Sequence, residues 1–271
     1  MHAVVRAGRV EISVVCEGYA PLDLADELPN TDWATMRQRY PWCFHDERSW
    51  AWHVHAFVVR TPTGLVMIDA GVSPLSPIEP WAEHTPLEEA LATAGVEPSD
   101  VRMVLHTHLH ADHAGGSVVD GEPRFPNAVH VVHPADWSHF ERGGSTYNAR
   151  GPMERLRELE MLDLELDDRE VWPRIRVVHS PGHTPGHRSV VLAEGDDTVL
   201  FTGDLLHVPV QIARPGERGN HDVDAGEAAR SRAGLVRQAR EEGWRVAVSH
   251  FGRPFGRVGA SGWMDELGPD A

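Results

Sequence analysis

The amino-acid sequence predicts an α/β (α+β) fold with four layers, in which two packed β-sheets are covered by helices on their outer faces. Short runs rich in β-branched residues alternate with turns and helical stretches, and these runs fall in two blocks that are each followed by helix. Apolar residues make up 41% of the chain, which is enough for a sizeable core. The length of 271 residues and the lack of a low-complexity linker favour one domain spanning residues 1–271.

The individual elements follow from local composition. Strands are predicted at 9–16, 55–61, 64–69, 101–106, 128–133, 175–179, 189–194, 198–202 and 245–249. Helices are predicted at 87–94, 134–142, 152–161 and 225–242, and Asp224 stands where an N-cap residue of the last helix belongs. The segment 18–52 is rich in Pro, Asp and Trp without a clear period, so it is interpreted as an arm or a flap over the active site.

Charge and composition exclude several classes of function. The formal net charge of −16 disfavours general binding to nucleic acid or to anionic membranes. No apolar run approaches the roughly 18 residues of a membrane-spanning helix, and the first residues do not resemble a cleavable signal peptide, so a cytoplasmic location is expected. The chain contains no lysine, which excludes Schiff-base chemistry and a Walker-type phosphate site. Cys16 and Cys43 form no C-x-x-C pair and are expected in the core.

Histidine is abundant, with 18 residues, and its densest cluster follows the predicted strand 101–106. In extended chain His108 and His110 point to the same side, so they can bind one metal, while the turn beyond presents Asp112 and His113 to a second metal. Burying four such side chains without a metal would leave polar groups unpaired, at a cost of about 1–3 kcal/mol each. The run therefore predicts a metal centre.

Three further candidate ligands each follow a predicted strand. His183 lies in the Pro- and Gly-rich loop 180–187, Asp204 lies in Thr-Gly-Asp-Leu-Leu, and His250 follows the strand that ends at position 249. The carboxyl ends of strands in layered α/β folds carry the functional loops. These residues are therefore predicted to join the first cluster.

The order of these motifs, preceded by Asp69 in Val-Met-Ile-Asp-Ala-Gly, resembles the five motifs of the metallo-β-lactamase superfamily across residues 55–252. The resemblance implies the αββα sandwich of that superfamily and two divalent metal ions, with zinc expected and iron or manganese as alternatives. It implies that Asp69 orients the ligand loop from behind. It assigns the ligands as His108, His110 and His183 on one metal, Asp112, His113 and His250 on the other, and Asp204 bridging both.

The chemistry implied is hydrolysis of an ester-like bond in a small molecule, above all a lactone or a carboxylic ester. Two cations would lower the pKa of a bridging water toward roughly 7, and the resulting hydroxide would attack the substrate. Asp112 is a candidate for moving the proton to the leaving group. His207, three residues after Asp204, is a candidate contact to substrate or oxyanion, and the alternative is a buried histidine that hydrogen-bonds to the backbone.

The loop 180–187 and the run Gly-Asp-Leu-Leu-His-Val-Pro-Val-Gln look most like the branch that contains N-acyl homoserine lactonases and methyl parathion hydrolases. Lactonases of this branch carry a Tyr three positions after the bridging Asp, whereas His207 here is nearer to the parathion-hydrolase pattern. Phosphotriester, thioester and β-lactam substrates stay open, as do an iron-dependent oxidoreductase or dioxygenase and assembly as a homodimer. The complete set of candidate ligands argues against a non-enzymatic binding protein. Five aromatic residues are expected to line the pocket or to pack in the core: Trp33, Trp42, Trp50, Trp52 and Phe57.

Overall fold

The computed structural model describes residues 3–24, 31–72, 81–165 and 168–266. The helices in these ranges are α1 (Trp33–Arg39), α2 (Leu87–Thr93), α3 (Ala111–Ala114), α4 (Pro134–Glu141), α5 (Arg150–Glu158), α6 (Val210–Ala213) and α7 (Ala225–Glu241). Single 3₁₀ turns lie at Pro41–Cys43, Pro98–Asp100, Gly115–Ser117 and Gly203–Leu205. None of the helices described is both long enough and apolar enough to span a membrane.

The strands form two large sheets and a short two-stranded ribbon. In chain order they are β1 (Val4–Ala7), β2 (Val10–Asp23), β3 (Ser49–Thr61), β4 (Gly64–Ile68), β5 (Glu83–His84), β6 (Val101–Leu105), β7 (Val118–Val119), β8 (Glu122–Pro123), β9 (Val129–Val132), β10 (Leu162–Leu164), β11 (Glu170–Trp172), β12 (Ile175–His179), β13 (Arg188–Glu194), β14 (Asp197–Phe201), β15 (Arg245–Ala247), β16 (Phe255–Gly259) and β17 (Gly262–Asp265).

The order of strands places several loops at one edge. The first sheet runs β1-β2-β3-β4-β6-β9-β10, with β5 paired to β2, and the second runs from β11 to β17 in sequence order. Within the first sheet β4, β6 and β9 are parallel, and within the second β14 is parallel to β15. Because parallel strands end on the same side, the loops that follow them are brought together.

The two sheets pack face to face with helices outside. On β3, Phe57 faces the other sheet while Val58 packs with α2, and on β14, Phe201 faces inward while Leu200 packs with α7. This alternation follows from the two-residue period of a strand, with both faces buried rather than one. The resulting order of layers, helix, sheet, sheet and helix, confirms the predicted αββα architecture.

The predicted strands and helices are confirmed, with differences at their ends. The Asp224 side chain accepts a hydrogen bond of 2.9 Å from the Glu227 backbone N–H and caps α7 as expected. Several short elements were not predicted: β1, β5, β7, β8, β10, β11, β16, β17, α1, α3 and α6. Elements this short show too few periods to stand out unless they contain an uninterrupted apolar run, as β4 and β6 do.

The segment 18–52 contains more regular structure than its composition indicates. Strand β2 passes a bulge at Cys16/Gly18 and continues to Asp23, and β3 already begins at Ser49. Between them lie α1 and a 3₁₀ turn, while positions 25–30 are outside the described residues. The strand ends escaped prediction because β3 is buried on both faces and so shows no polar alternation.

Candidate metal centre

The histidines and aspartates selected from the sequence converge at one edge of the sandwich. Asp69 follows β4, the H-x-H-x-D-H run follows β6, and Asp204 and His250 lie just beyond β14 and β15. Their donor atoms form two groups in which all ligand atoms lie within 4.8 Å of one another, with Asp204 in both groups. The structure therefore brings together every residue predicted as a ligand.

The first group consists of His108, His110, His183 and Asp204. His110 Nδ1 lies 2.9 Å from His108 Nε2 and 3.0 Å from His183 Nε2. Asp204 Oδ2 lies 3.2 Å from His183 Nε2 and 3.6 Å from His108 Nε2. Three ring nitrogens and one carboxylate oxygen thus surround a common point.

The second group consists of Asp112, His113, His250 and again Asp204. His113 Nε2 lies 3.1 Å from Asp112 Oδ2 and 3.3 Å from His250 Nε2. The other oxygen of the shared carboxylate, Asp204 Oδ1, lies 3.0 Å from His113 Nε2 and 2.9 Å from His250 Nε2. Each oxygen of Asp204 therefore faces a different group.

These distances fit bound cations better than hydrogen bonds. Zinc bonds of about 2.0–2.1 Å in tetrahedral geometry place neighbouring ligand atoms about 3.3 Å apart, which lies within the observed range of 2.9 to 3.6 Å. Despite its near neighbours, Asp204 Oδ1 is buried and has no hydrogen-bond partner in the described part of the chain. An unpaired buried carboxylate oxygen is costly, so the donor set fits two divalent cations that share Asp204.

Burial and the close spacing of the donor side chains shift the pKa values of the histidines in the cluster. Burial and neighbouring histidines hold the pKa of His108 well below its ordinary value. Burial is the largest single influence and lowers the pKa of His113 and of His183, but the surrounding carboxylates together outweigh it. Asp204, Asp112 and Asp69 raise the pKa of His113, while Asp204 and Asp222 raise that of His183 to about 9. The carboxylates of the cluster therefore attract positive charge, which metal ions would supply more strongly than protons do.

The ligand rings are held from behind by hydrogen bonds. His113 Nδ1 lies 2.7 Å from Asp69 Oδ2, and Asp69 also accepts the Thr107 backbone N–H at 2.8 Å. His250 Nδ1 donates to the His53 carbonyl at 2.6 Å. Such partners fix the orientation of a ligand ring and direct its other nitrogen at the metal.

Two further residues support the ligands, and one of them, Asp222, lies in no motif that marks it in the sequence. Asp222, in the loop before α7, has its Oδ1 atom 3.3 Å from His183 Nδ1, and its Oδ2 atom lies 3.5 Å from the Arg232 guanidinium. His187, the last residue of the loop 180–187, accepts the Asp204 backbone N–H on Nε2 at 3.0 Å and donates from Nδ1 to the Ser180 carbonyl at 2.9 Å. His187 therefore fixes the backbone at Asp204.

His207, Tyr147 and Trp52 border the donor groups without belonging to them. His207 Nε2 lies 3.2 Å from Asp204 Oδ2, and the His207 backbone N–H donates to the Gln211 side chain. The ring of Tyr147 lies 6.2 Å from that of His110, and its buried hydroxyl has no hydrogen-bond partner among the described residues. Burial and the nearby Asp112 carboxylate raise the pKa of Tyr147, so its hydroxyl stays protonated. The sequence contained no signal for Tyr147.

The aromatic residues proposed as pocket walls divide between the site and the core. Trp52 stacks on the His250 ring at 4.9 Å between centroids, and Trp42 contacts Phe251, the residue after His250. Phe57 instead packs between the sheets, and Trp50 is buried in the core. The alternation of strand β3 separates Phe57 from Trp50 and Trp52, since residues of opposite parity point to opposite faces.

Comparison with known families places the chain. The model of the metallo-β-lactamase superfamily matches residues 50–250. The chain belongs to this superfamily. Its likeness to an N-acyl homoserine lactonase from a Bacillus species is 28% identity over 175 residues, which covers 57% of this chain and 64% of that protein. An N-acyl homoserine lactonase, AttM, from Azorhizobium caulinodans is 28% identical over 158 residues, covering 50% of this chain and 58% of that protein.

The alignment with this protein therefore covers less than two thirds of the length of each of these relatives. Solved structures superpose on a larger share of this chain, but their sequence identity to it is lower. AidC, a dizinc quorum-quenching lactonase in complex with a product, superposes with a TM-score of 0.83 at 20% identity, over 98% of this chain and 97% of AidC. The hydrolase AbOPH superposes with a TM-score of 0.83 at 22% identity, with the same shares covered. These likenesses establish the fold.

Proposed function

We propose that this metallo-β-lactamase superfamily protein is a hydrolase that opens a small-molecule lactone or carboxylic ester at a dinuclear zinc centre. One observation carries the proposal: the two oxygens of Asp204 face two different groups of buried donors. That arrangement suits a pair of cations held close together, as in two-metal hydrolases. The names of the lactonase relatives support the choice of a lactone.

The ligand assignment follows the two groups. His108, His110 and His183 would hold one cation, and Asp112, His113 and His250 would hold the other, with Asp204 shared by both. Asp69 and Asp222 hold ligand rings in place through His113 and His183. Imidazole and carboxylate donors bind zinc and also accept iron or manganese. The donor set supports divalent cations in general, and we propose zinc among them.

Bound cations would supply activated water and a Lewis acid for the carbonyl oxygen of the substrate. The protein itself moves the protons and orients the substrate. Asp112 accepts the proton of the attacking water and passes it to the alcohol oxygen that leaves as the ring opens. The buried Tyr147 hydroxyl, which has no hydrogen-bond partner of good geometry within the described ranges, donates a hydrogen bond to the oxygen that develops charge.

The walls of the site favour an uncharged organic substrate. Trp52 covers the His250 side of the second donor group, and Tyr147 covers the His110 side of the first. Aromatic surfaces on two sides of a polar centre suit an apolar acyl or aryl group, and bound cations would polarise the reacting bond. The net charge of −16 gives no general attraction for polyanions.

A phosphotriester is the second candidate substrate, and His207 is the observation that favours it. This imidazole occupies the position three residues after Asp204, lies within 3.2 Å of its carboxylate and leaves Nδ1 without a partner in the described ranges. In the tautomer that carries its proton on Nδ1, this ring can donate a hydrogen bond to a phosphoryl or a carbonyl oxygen of the substrate. Ratios of kcat/KM, rather than detection of activity, separate the two substrates.

The test combines metal analysis with a substrate panel. Protein purified without chelator is assayed for bound metals and for hydrolysis of a lactone, an aryl ester, a thioester, a β-lactam and a phosphotriester. About two zinc ions per chain are expected, with the highest kcat/KM on the lactone or ester. Asp204→Ala should lose both metal and turnover, whereas Asp163→Ala, which removes an exposed carboxylate on β10, should keep both. Stoichiometric iron without hydrolysis would contradict the proposal and favour an oxidative enzyme.

A further inference from the structure

A second cluster of metal-binding side chains lies beside the first. Cys16 on β2 is the cross-strand partner of His55 on β3, and His53 lies two residues earlier on the same face of β3. One donor atom of each residue lies within 4.8 Å of those of the other two. None of the three belongs to the groups that contain Asp204.

All three side chains are withdrawn from solvent. Cys16 is 8% exposed, His53 9% and His55 2%. They lie at the end of the core between the sheets, where Cys16 still packs with apolar neighbours. Because little water reaches these side chains, each of their polar atoms needs a partner within the protein or a bound ligand.

The hydrogen bonds leave unsatisfied nitrogen atoms in this cluster. His55 Nε2 lies 3.0 Å from the Phe251 carbonyl oxygen, which can only accept, so Nε2 carries the proton and Nδ1 carries the free lone pair. That Nδ1 atom is buried without a hydrogen-bond partner in the described part of the chain, and so is His53 Nδ1. A buried unpaired acceptor costs about 1–3 kcal/mol, and a cation bound by the lone pair would remove that cost.

We propose that Cys16, His53 and His55 form a third metal site, separate from the hydrolase centre, for a thiophilic closed-shell cation, either Zn²⁺ or Cu⁺. A thiolate with two neutral imidazoles is a soft donor set that selects these ions over Mg²⁺, Ca²⁺ or Mn²⁺. On binding, the Cys16 thiol releases its proton to solvent and the sulfur bonds the cation, with no change of oxidation state.

The two cations differ in how well they suit burial. Cu⁺ and one thiolate form a neutral complex, and three protein donors can complete it. Zn²⁺ with the same donors keeps a net positive charge and takes a fourth ligand, such as water. The site also lies next to the hydrolase centre, because the His53 carbonyl accepts the 2.6 Å hydrogen bond from His250 Nδ1.

The test uses Co²⁺ as a coloured substitute for Zn²⁺, because only a thiolate ligand adds an intense near-ultraviolet charge-transfer band and the hydrolase centre contains no sulfur. Co²⁺-loaded wild-type protein should show this band and bind three metal equivalents. Cys16→Ser should lose the band and bind two. Cys43→Ala removes the other buried cysteine and should change neither result.

Two further measurements complete the experiment. His55→Gln keeps both thiols but removes a ligand, so it should also lose the band, and it replaces Cys16→Ser if that variant does not fold by circular dichroism. Loss of the band on adding Zn²⁺ identifies a zinc site, and loss only on anaerobic addition of Cu⁺ identifies a copper site. A fully loaded wild-type protein without the band, or a band that survives Cys16→Ser, would refute the third site.

Discussion

The Nδ1 atom of His183 lies 3.3 Å from Oδ1 of Asp222, a residue 39 positions further along the chain. Asp222 is itself buried and lies 3.5 Å from the guanidinium of Arg232. This chain of contacts fixes the ring of His183 so that Nε2 points into the first donor group. The relationship makes Asp222 a positioning residue rather than a ligand.

We expect Asp222→Asn to weaken zinc binding by about tenfold to hundredfold, since a carboxylate partner raises the basicity of a ligand imidazole. Competition with a chromophoric chelator measures this affinity. Turnover should recover when excess zinc is supplied, which a collapsed site would not allow. Asp224→Asn removes a neighbouring carboxylate but retains an N-cap residue for α7, so it should bind zinc as the wild type does. Equal zinc affinity in the Asp222 and Asp224 variants would contradict the positioning role.

The Tyr147 hydroxyl provides a second prediction. Tyr147→Phe keeps the aromatic wall beside His110 and removes only the buried hydroxyl. If this group donates to the oxygen that develops charge, kcat/KM on the preferred substrate should fall about tenfold to hundredfold, mainly through kcat. Steady-state kinetics at matched zinc content check this. Tyr19→Phe, which removes an exposed hydroxyl near His45, is the control. An unchanged kcat would show that Tyr147 only lines the pocket and that its hydroxyl does not stabilise the transition state.

Metal removal should destabilise the protein. The ligands come from loops after several different strands, so cations bound in the folded state hold these loops together. At free zinc 100-fold above the dissociation constant, the stabilisation is about 2.7 kcal/mol per site. Thermal unfolding with and without chelator should therefore show a lower Tm after metal removal. Asp204→Ala should respond much less to the same chelator, and an equal response in both proteins would contradict the assignment.

Acid should destabilise the protein partly through His130. This ring is buried, its Nδ1 lies 3.0 Å from His106 Nε2, and burial lowers its pKa from 6.5 to about 3. Between those values the unfolded chain binds a proton that the folded chain does not, so stability is present above pH 6.5 and is lost as the pH falls toward 3. The loss is about 1.4 kcal/mol per pH unit.

His130→Asn places an amide near the position of Nδ1 and removes the titrating ring. We expect it to lower stability at neutral pH, because a cavity remains, but to flatten the dependence on pH between 6.5 and 5. Urea unfolding of zinc-loaded protein at several pH values measures this slope. His84→Asn changes an exposed histidine and should leave the slope as in the wild type. A parallel slope for His130→Asn would show that His130 does not carry the acid sensitivity.

Local patterns determined much of this protein. Strands and helices could each be recognised from their apolar residues. Because each element has to bury its apolar side against another, two blocks of strands followed by helices predict the four-layer arrangement. The spacing of His108, His110, Asp112 and His113 after one strand is equally local, so it could be predicted without any knowledge of what packs nearby.

The tertiary structure alone decided which distant residues support those ligands. Asp222 reaches His183 across 39 positions, the Tyr147 hydroxyl comes from the loop between α4 and α5, and His53 offers its carbonyl to His250 from another sheet. Cys16 and His55 meet only because a specific register pairs β2 with β3. Side chains such as these carry no periodic signal, since their contacts depend on how separate elements pack rather than on their neighbours in the chain.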